Sequence, residues 1–133
     1  MSDLPERLYL AGPMSGRPHS NFPLFNRVAG LLRARGHEVF NPAENKDGGV
    51  RRSRAYYMRL DIPALLDSQA VVLLPGWRAS RGASLEVWIA LDLDMPVYEC
   101  SLNDGELTVT RATTLEPFPM PFGFLPQVLS PEC

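Results

Sequence analysis

The run Ala70-Val-Val-Leu-Leu74 constrains what this chain can fold into more than any other stretch. It holds no polar residue and is short, which suits a strand covered on both faces better than a helix. Pro75-Gly76 ends it, and a polar loop containing Gly82 follows. Ser84-Leu85-Glu86 then opens a run that reads as helix from Ala83 to about Asp94, apolar through Leu85, Trp88, Ile89 and Leu91. A strand of this kind needs parallel neighbours and helices on both faces. In such sheets ligand chemistry collects beyond the C-terminal ends of the strands, where this order of elements puts Glu86. In a first helical turn, the positive end of the helix dipole is expected to hold that carboxylate ionised. The plainer reading is that Glu86 only complements the dipole.

The rest of the chain supplies the neighbours. Arg7-Leu-Tyr-Leu-Ala11 reads as a first buried strand closed by Gly12-Pro13, and a glycine- and hydroxyl-rich loop runs on to Ser20. Asn21 is placed as a helix N-cap with Pro23 in the first turn, and Phe22, Phe25, Val28, Ala29, Leu31 and Leu32 recur at helical spacing up to Gly36. His37-Glu-Val-Phe40 is a second strand, ended by Asn41-Pro42. Residues 43–53 carry no periodicity and read as an exposed loop, a candidate lid. Helical spacing resumes from Arg54 to Asp67 through Tyr57, Leu60, Ala64 and Leu65, with Pro63 predicting two short helices or a kink. Val97-Tyr-Glu-Cys100 is a fourth strand, and Asn103-Asp-Gly105 turns the chain into an antiparallel Glu106–Thr110.

These elements predict one α/β domain over residues 1–111. Its sheet is doubly wound and mainly parallel, flavodoxin- or Rossmann-like, in the order 2-1-3-4 with an added antiparallel edge strand. Residues 112–133 form a proline- and phenylalanine-rich tail, expected to dock on its own domain or a neighbouring subunit because exposed aromatics need a partner surface. With this strand order the crevice opens between strands one and three, so the loops Gly12–Ser20 and Pro75–Ser84 face each other across one site. Ser15, Gly16 and Arg17, with Ser20 nearby, precede a helix N-terminus and suit a monophosphate; the plainer reading is that the serines cap turns. Trp77 reads either as a surface for a base to stack on or as packing, and Arg78 and Arg81 as added charge or as solvated side chains.

A net charge of −2 leaves no footprint for duplex nucleic acid. Twelve of the thirteen basic residues are arginine, whose fork suits phosphate. Cys100 and Cys133 match no metal or redox spacing, so no metal and no cofactor are expected. A reducing cytoplasm is the expected location; no apolar run is long enough to span a membrane, and the N-terminus does not read as a signal peptide.

Several short motifs together resemble the nucleoside 2-deoxyribosyltransferase-like superfamily, most closely a small bacterial and phage branch known only as a domain of unknown function (DUF4406-like). They are Tyr9-Leu-Ala-Gly-Pro-Met-Ser-Gly16, Asn21-Phe22, Gly36-His37-Glu-Val, Asn41-Pro42, Arg59-Leu-Asp61, Leu74-Pro-Gly-Trp77 and Ser80-Arg-Gly-Ala-Ser-Leu-Glu86, within residues 8 to about 98. The resemblance implies a glutamate nucleophile, Glu86, that attacks C1′ and expels the base, with water or a second base resolving the glycosyl-enzyme. It implies that Asp61 holds a sugar hydroxyl or helps protonate the base, and that Tyr9 orients Glu86. Residue by residue, Asp61 also reads as an N-cap before Ile62-Pro63, and Tyr9 as core. Gly12, Met14, Ser15, Gly16, Arg17, Asn21, Trp77, Ser80, Gly82 and Ser84 are the expected substrate- and phosphate-binding positions. This chain departs from better-known members in two respects: the downstream residue that transferases supply from a neighbouring subunit has no counterpart located in the tail, and Trp77-Arg-Ala-Ser-Arg-Gly82 lacks the acidic residue often found before the nucleophile. That leaves the general acid unassigned and favours an anionic substrate. The resulting expectation is an N-glycosidase for (deoxy)nucleoside 5′-monophosphates, with deoxyribosyl transfer or a non-catalytic nucleotide-binding module as alternatives, working as a homodimer or higher homo-oligomer.

Overall fold

A computed structural model describes residues 3–45, 52–113 and 115. Most of the expected tail and the middle of the expected lid therefore lie outside the described residues. Five strands, β1 (Arg7–Ala11), β2 (Glu38–Phe40), β3 (Ala70–Leu73), β4 (Val97–Asn103) and β5 (Glu106–Arg111), form one sheet in the order β2-β1-β3-β4-β5. The first four pair in parallel and β5 returns antiparallel to β4. This is the expected topology. Asp104 and Gly105 take φ of 52° and 80°, the double left-handed turn that matches strand twist in a two-residue hairpin.

Side-chain alternation divides the core into two layers. Leu8 and Leu10 of β1 point to one face, packing with Phe25, Val28 and Leu32 of helix α1 (Phe22–Ala34) and with Tyr98, Cys100, Leu107 and Val109 of the hairpin. Tyr9 and Ala11 point to the other face, toward Leu65 of helix α2 (Arg54–Leu66) and Ala83, Val87 and Ala90 of helix α3 (Arg81–Asp92). All four residues of β3 are fully buried, as its lack of polar residues requires.

Five local expectations change. Helix α2 runs unbroken through Pro63; the carbonyl deprived of a partner belongs to exposed Arg59, where water can satisfy it. On the same helix Leu60 is exposed and Asp61 buried, although Ala64 and Leu65 pack on the core as expected. Helix α3 begins at Arg81 with Ser80 as N-cap, its Oγ accepting from the Ala83 amide at 3.1 Å. Trp88 and Leu91 are exposed, and the sheet is covered instead by the smaller Ala83, Val87 and Ala90. Asn21 does precede α1, but in the left-handed region and without capping it; its side chain donates to the Pro13 carbonyl at 2.8 Å and pins the β1–α1 loop.

Gly12 sets how closely the two functional loops approach. A Cβ there would lie 2.8 Å from Cβ of Leu74, so only glycine lets the chain leave β1 against the end of β3.

Candidate active site

The β1–α1 loop, one face of α2 and the start of α3 enclose a cleft of about 920 Å³ at the C-terminal ends of β1 and β3. This is the switch point where the strand order reverses, and the two loops expected to meet there do so. Gly12, Met14, Ser15, Gly16 and Arg17 line it from one side, Ser80, Gly82 and Glu86 from the other, and Asp61 from α2.

At its base, Glu86 is 5% exposed and accepts a hydrogen bond of 2.5 Å from the hydroxyl of the fully buried Tyr9. The Tyr9 ring stacks on Phe40 at 5.3 Å and 11°, which fixes the direction of its O–H. Burial raises the Glu86 carboxyl to about 8; the Tyr9 hydrogen bond and the positive charge of Arg54 act against the rise, and Asp61 adds to it. The Tyr9 hydroxyl is itself held well above its ordinary value by burial and by the two carboxyls. Glu86 is thus the sixth residue of α3, in its second turn, not the first. The expected dipole stabilisation of an ionised Glu86 is overturned: the dipole's influence fades past the first turn, and loss of solvent dominates.

Asp61 is 8% exposed and sits inside α2, which removes the N-cap reading. Burial lifts its carboxyl to about 6, opposed by the Asn45 amide, which donates to Oδ1 at 2.7 Å. Sequence reasoning missed Asn45. The available signal was Asn41-Pro42: Asn41 Oδ1 accepts from the Ala43 amide and caps a single 3-10 turn, Pro42–Glu44, that delivers Asn45 to the cleft. It also missed Arg54, Tyr57 and Met58. With Asp61 they occupy positions i, i+3, i+4 and i+7 of α2 and all line the cleft.

Three expected positions fall elsewhere. Trp77 is buried, donates its indole N–H to Glu99 at 3.2 Å, lies under the Arg78 guanidinium, and lines a separate groove along β4 and β5. It offers the cleft no stacking face. Ser84 is buried in the body of α3 and does not line the cleft, because the helix starts earlier than expected. Asn21 acts on the loop and not on the cleft. Among the described residues, no group of three or more His, Cys, Asp or Glu is placed to hold a metal ion, and no helix is long and apolar enough to cross a membrane.

Arg17, Arg52, Arg54 and Arg81 also line the cleft. Arg17 lies across the β3–α3 loop, where a Cβ on Gly76 (φ 83°) would come within 2.5 Å of its guanidinium. Near neutral pH Glu86 is largely protonated and Asp61 largely ionised, so the four guanidinium groups outnumber the ionised carboxylate of the pair, a balance suited to an anion.

The model of DUF4406, a domain of unknown function, matches residues 6–99, which include every residue of this cleft's chemistry. The chain belongs to the DUF4406 family. No curated protein matches this DUF4406 chain. Among solved structures, it is similar to the 2-deoxyribosyltransferase of the psychrotolerant bacterium Bacillus psychrosaccharolyticus, at 22% identity and a TM-score of 0.57 over 70% of each chain. It is also similar to a conserved protein from Enterococcus faecalis V583, at 18% identity and a TM-score of 0.55, over 74% of this chain and 65% of that one. The DUF4406 domain therefore has a deoxyribosyltransferase-like fold.

Proposed function

We propose that this protein is an N-glycosidase that cleaves (deoxy)nucleoside 5′-monophosphates to free base and sugar phosphate, with Glu86 as nucleophile. The observation that carries the reading is the buried Glu86 carboxyl, oriented by Tyr9 at the base of a cleft lined with guanidinium groups. An ionised Glu86 oxygen attacks C1′, the C1′–N bond breaks, and its electron pair leaves with the base. Asp61 gives the base a proton; a carboxyl raised to about 6 exchanges a proton readily near neutral pH. Water then attacks C1′, returns a proton to Asp61 and frees Glu86. Positive charge developing at the sugar during the first step favours the ionised form of Glu86, which burial disfavours. Ser15, Gly16, Arg17 and Ser20 would receive the phosphate.

Deoxyribosyl transfer is the second reading, favoured by the fold shared with a 2-deoxyribosyltransferase. It differs only in what resolves the intermediate. Incubating the protein with ribo- and deoxynucleotides and nucleosides, with and without an acceptor base, and following base release by chromatography separates the two. Base release from a monophosphate without acceptor, abolished in Glu86→Ala, is expected. Turnover that requires an acceptor selects transfer. Binding without turnover, seen as thermal stabilisation, would make the site a nucleotide sensor and sink both enzymatic readings.

A further inference from the structure

The four cleft arginines do not have the same neighbours. Arg17 stands on the β1–α1 loop among Ser15, Gly16 and Ser20, the groups suited to a phosphate, and Arg81 opens α3. Arg54 is the first residue of α2, capped by Ser53, and shares a helix face with Met58 and Asp61. That face and Glu86 line the same cleft. The charged and titratable groups around Glu86 are Tyr9 from β1, Asp61, Arg54 and Tyr57 from α2, Arg81 at the start of its own helix, and Arg17 and Arg52 at the cleft wall. Tyr9 supplies a hydrogen bond but no charge.

We propose that Arg54 is a positioning residue whose charge compensates Glu86 when it ionises, and that it is not the phosphate ligand. The inference builds on the proposed glycosidase. A phosphate seated on Arg54 would cancel the charge that Glu86 needs and suppress the nucleophile, so the two roles exclude each other. The phosphate is left to Arg17 and its loop. Arg54 is also the cation whose charge opposes the rise of the Glu86 carboxyl.

The test uses Arg54→Gln, Arg54→Lys and Arg17→Gln in the full chain. The Glu86 titration is followed by carbon NMR of labelled glutamate carboxyls in the ligand-free protein, with Glu86→Gln assigning the signal. In parallel, kcat and KM are measured against pH for a deoxynucleoside 5′-monophosphate and its parent nucleoside. Arg54→Gln is expected to move the Glu86 midpoint to higher pH and to lower kcat by a similar factor for both substrates, about tenfold per pH unit of displacement. Arg54→Lys is expected to restore the midpoint. Arg17→Gln should instead raise KM for the monophosphate alone. An unmoved midpoint, or a loss in Arg54→Gln confined to the KM of the monophosphate, overturns the proposal. If no substrate turns over, the glycosidase reading fails on that ground while the titration still decides the role of Arg54.

Discussion

The Tyr9 hydroxyl donates to Oε2 of Glu86 at 2.5 Å, joining β1 to α3 between residues 77 positions apart. This bond opposes the desolvation that raises the Glu86 carboxyl. Tyr9→Phe keeps the stack on Phe40 and removes only the donor. A hydrogen bond to a charged group contributes about 1.5–3 kcal/mol. Tyr9→Phe is therefore expected to lower base release roughly 10- to 100-fold, with the rising limb of the pH–rate profile displaced to higher pH. An unmoved limb would show that the bond does not control the ionisation.

The raised Glu86 carboxyl also makes stability depend on pH. Its folded value, about 8, lies above the ordinary 4.5, so between these values the folded state keeps a proton that the unfolded chain has lost. Stability from this group is complete below about 4.5 and is lost as pH rises to about 8. Glu86→Gln, which cannot ionise, should flatten that decline and leave the variant more stable than the parent at pH 8. Urea unfolding at several pH values measures it; equal slopes in both proteins would contradict it.

Asp61 contributes negative charge beside Glu86 and pushes its carboxyl up. Asp61→Asn should move the Glu86 midpoint toward acid while removing the proton donor for the departing base. A lower midpoint together with a large fall in kcat is the expected signature, read by NMR titration and by base release. A faster enzyme at pH 6 would instead mean that Asp61 only restrains the nucleophile.

Gly12 lies where a Cβ would press on Leu74 at 2.8 Å. Overpacking of this sort costs about 1–3 kcal/mol, so Gly12→Ala should lower the urea midpoint without changing the m-value. Because the same backbone lines the cleft, substrate binding should weaken as well. Unchanged stability would show that the two loops yield without cost.

Much of this molecule was legible along the chain. Ala70–Leu73 could only be an interior strand, Asp104-Gly105 could only turn a hairpin, and right-handed crossovers then dictate that the loops after β1 and β3 meet. The position of the cleft and the convergence of Gly12, Ser15, Arg17 and Glu86 follow from those local signals, whereas Asp61 was placed there only by the family resemblance. Ser84 did not follow because α3 starts earlier than expected and buries it in the helix body, and Trp77 did not because it begins a separate 3-10 turn, Trp77–Ala79, that turns the ring toward Glu99. Asn45 and Arg54 were hidden because polar groups leave no periodic signal: one follows the turn Pro42–Glu44, and the other opens the α2 face that carries Asp61 to the cleft while Leu60 stays outside. The sequence by itself determined the elements, their order and the place of the site, because those depend on periodicity and turn chemistry over a few residues. Only the tertiary structure decided that Glu86 holds its proton to about pH 8, because that depends on burial and on Tyr9, Asp61 and Arg54, which arrive from distant parts of the chain.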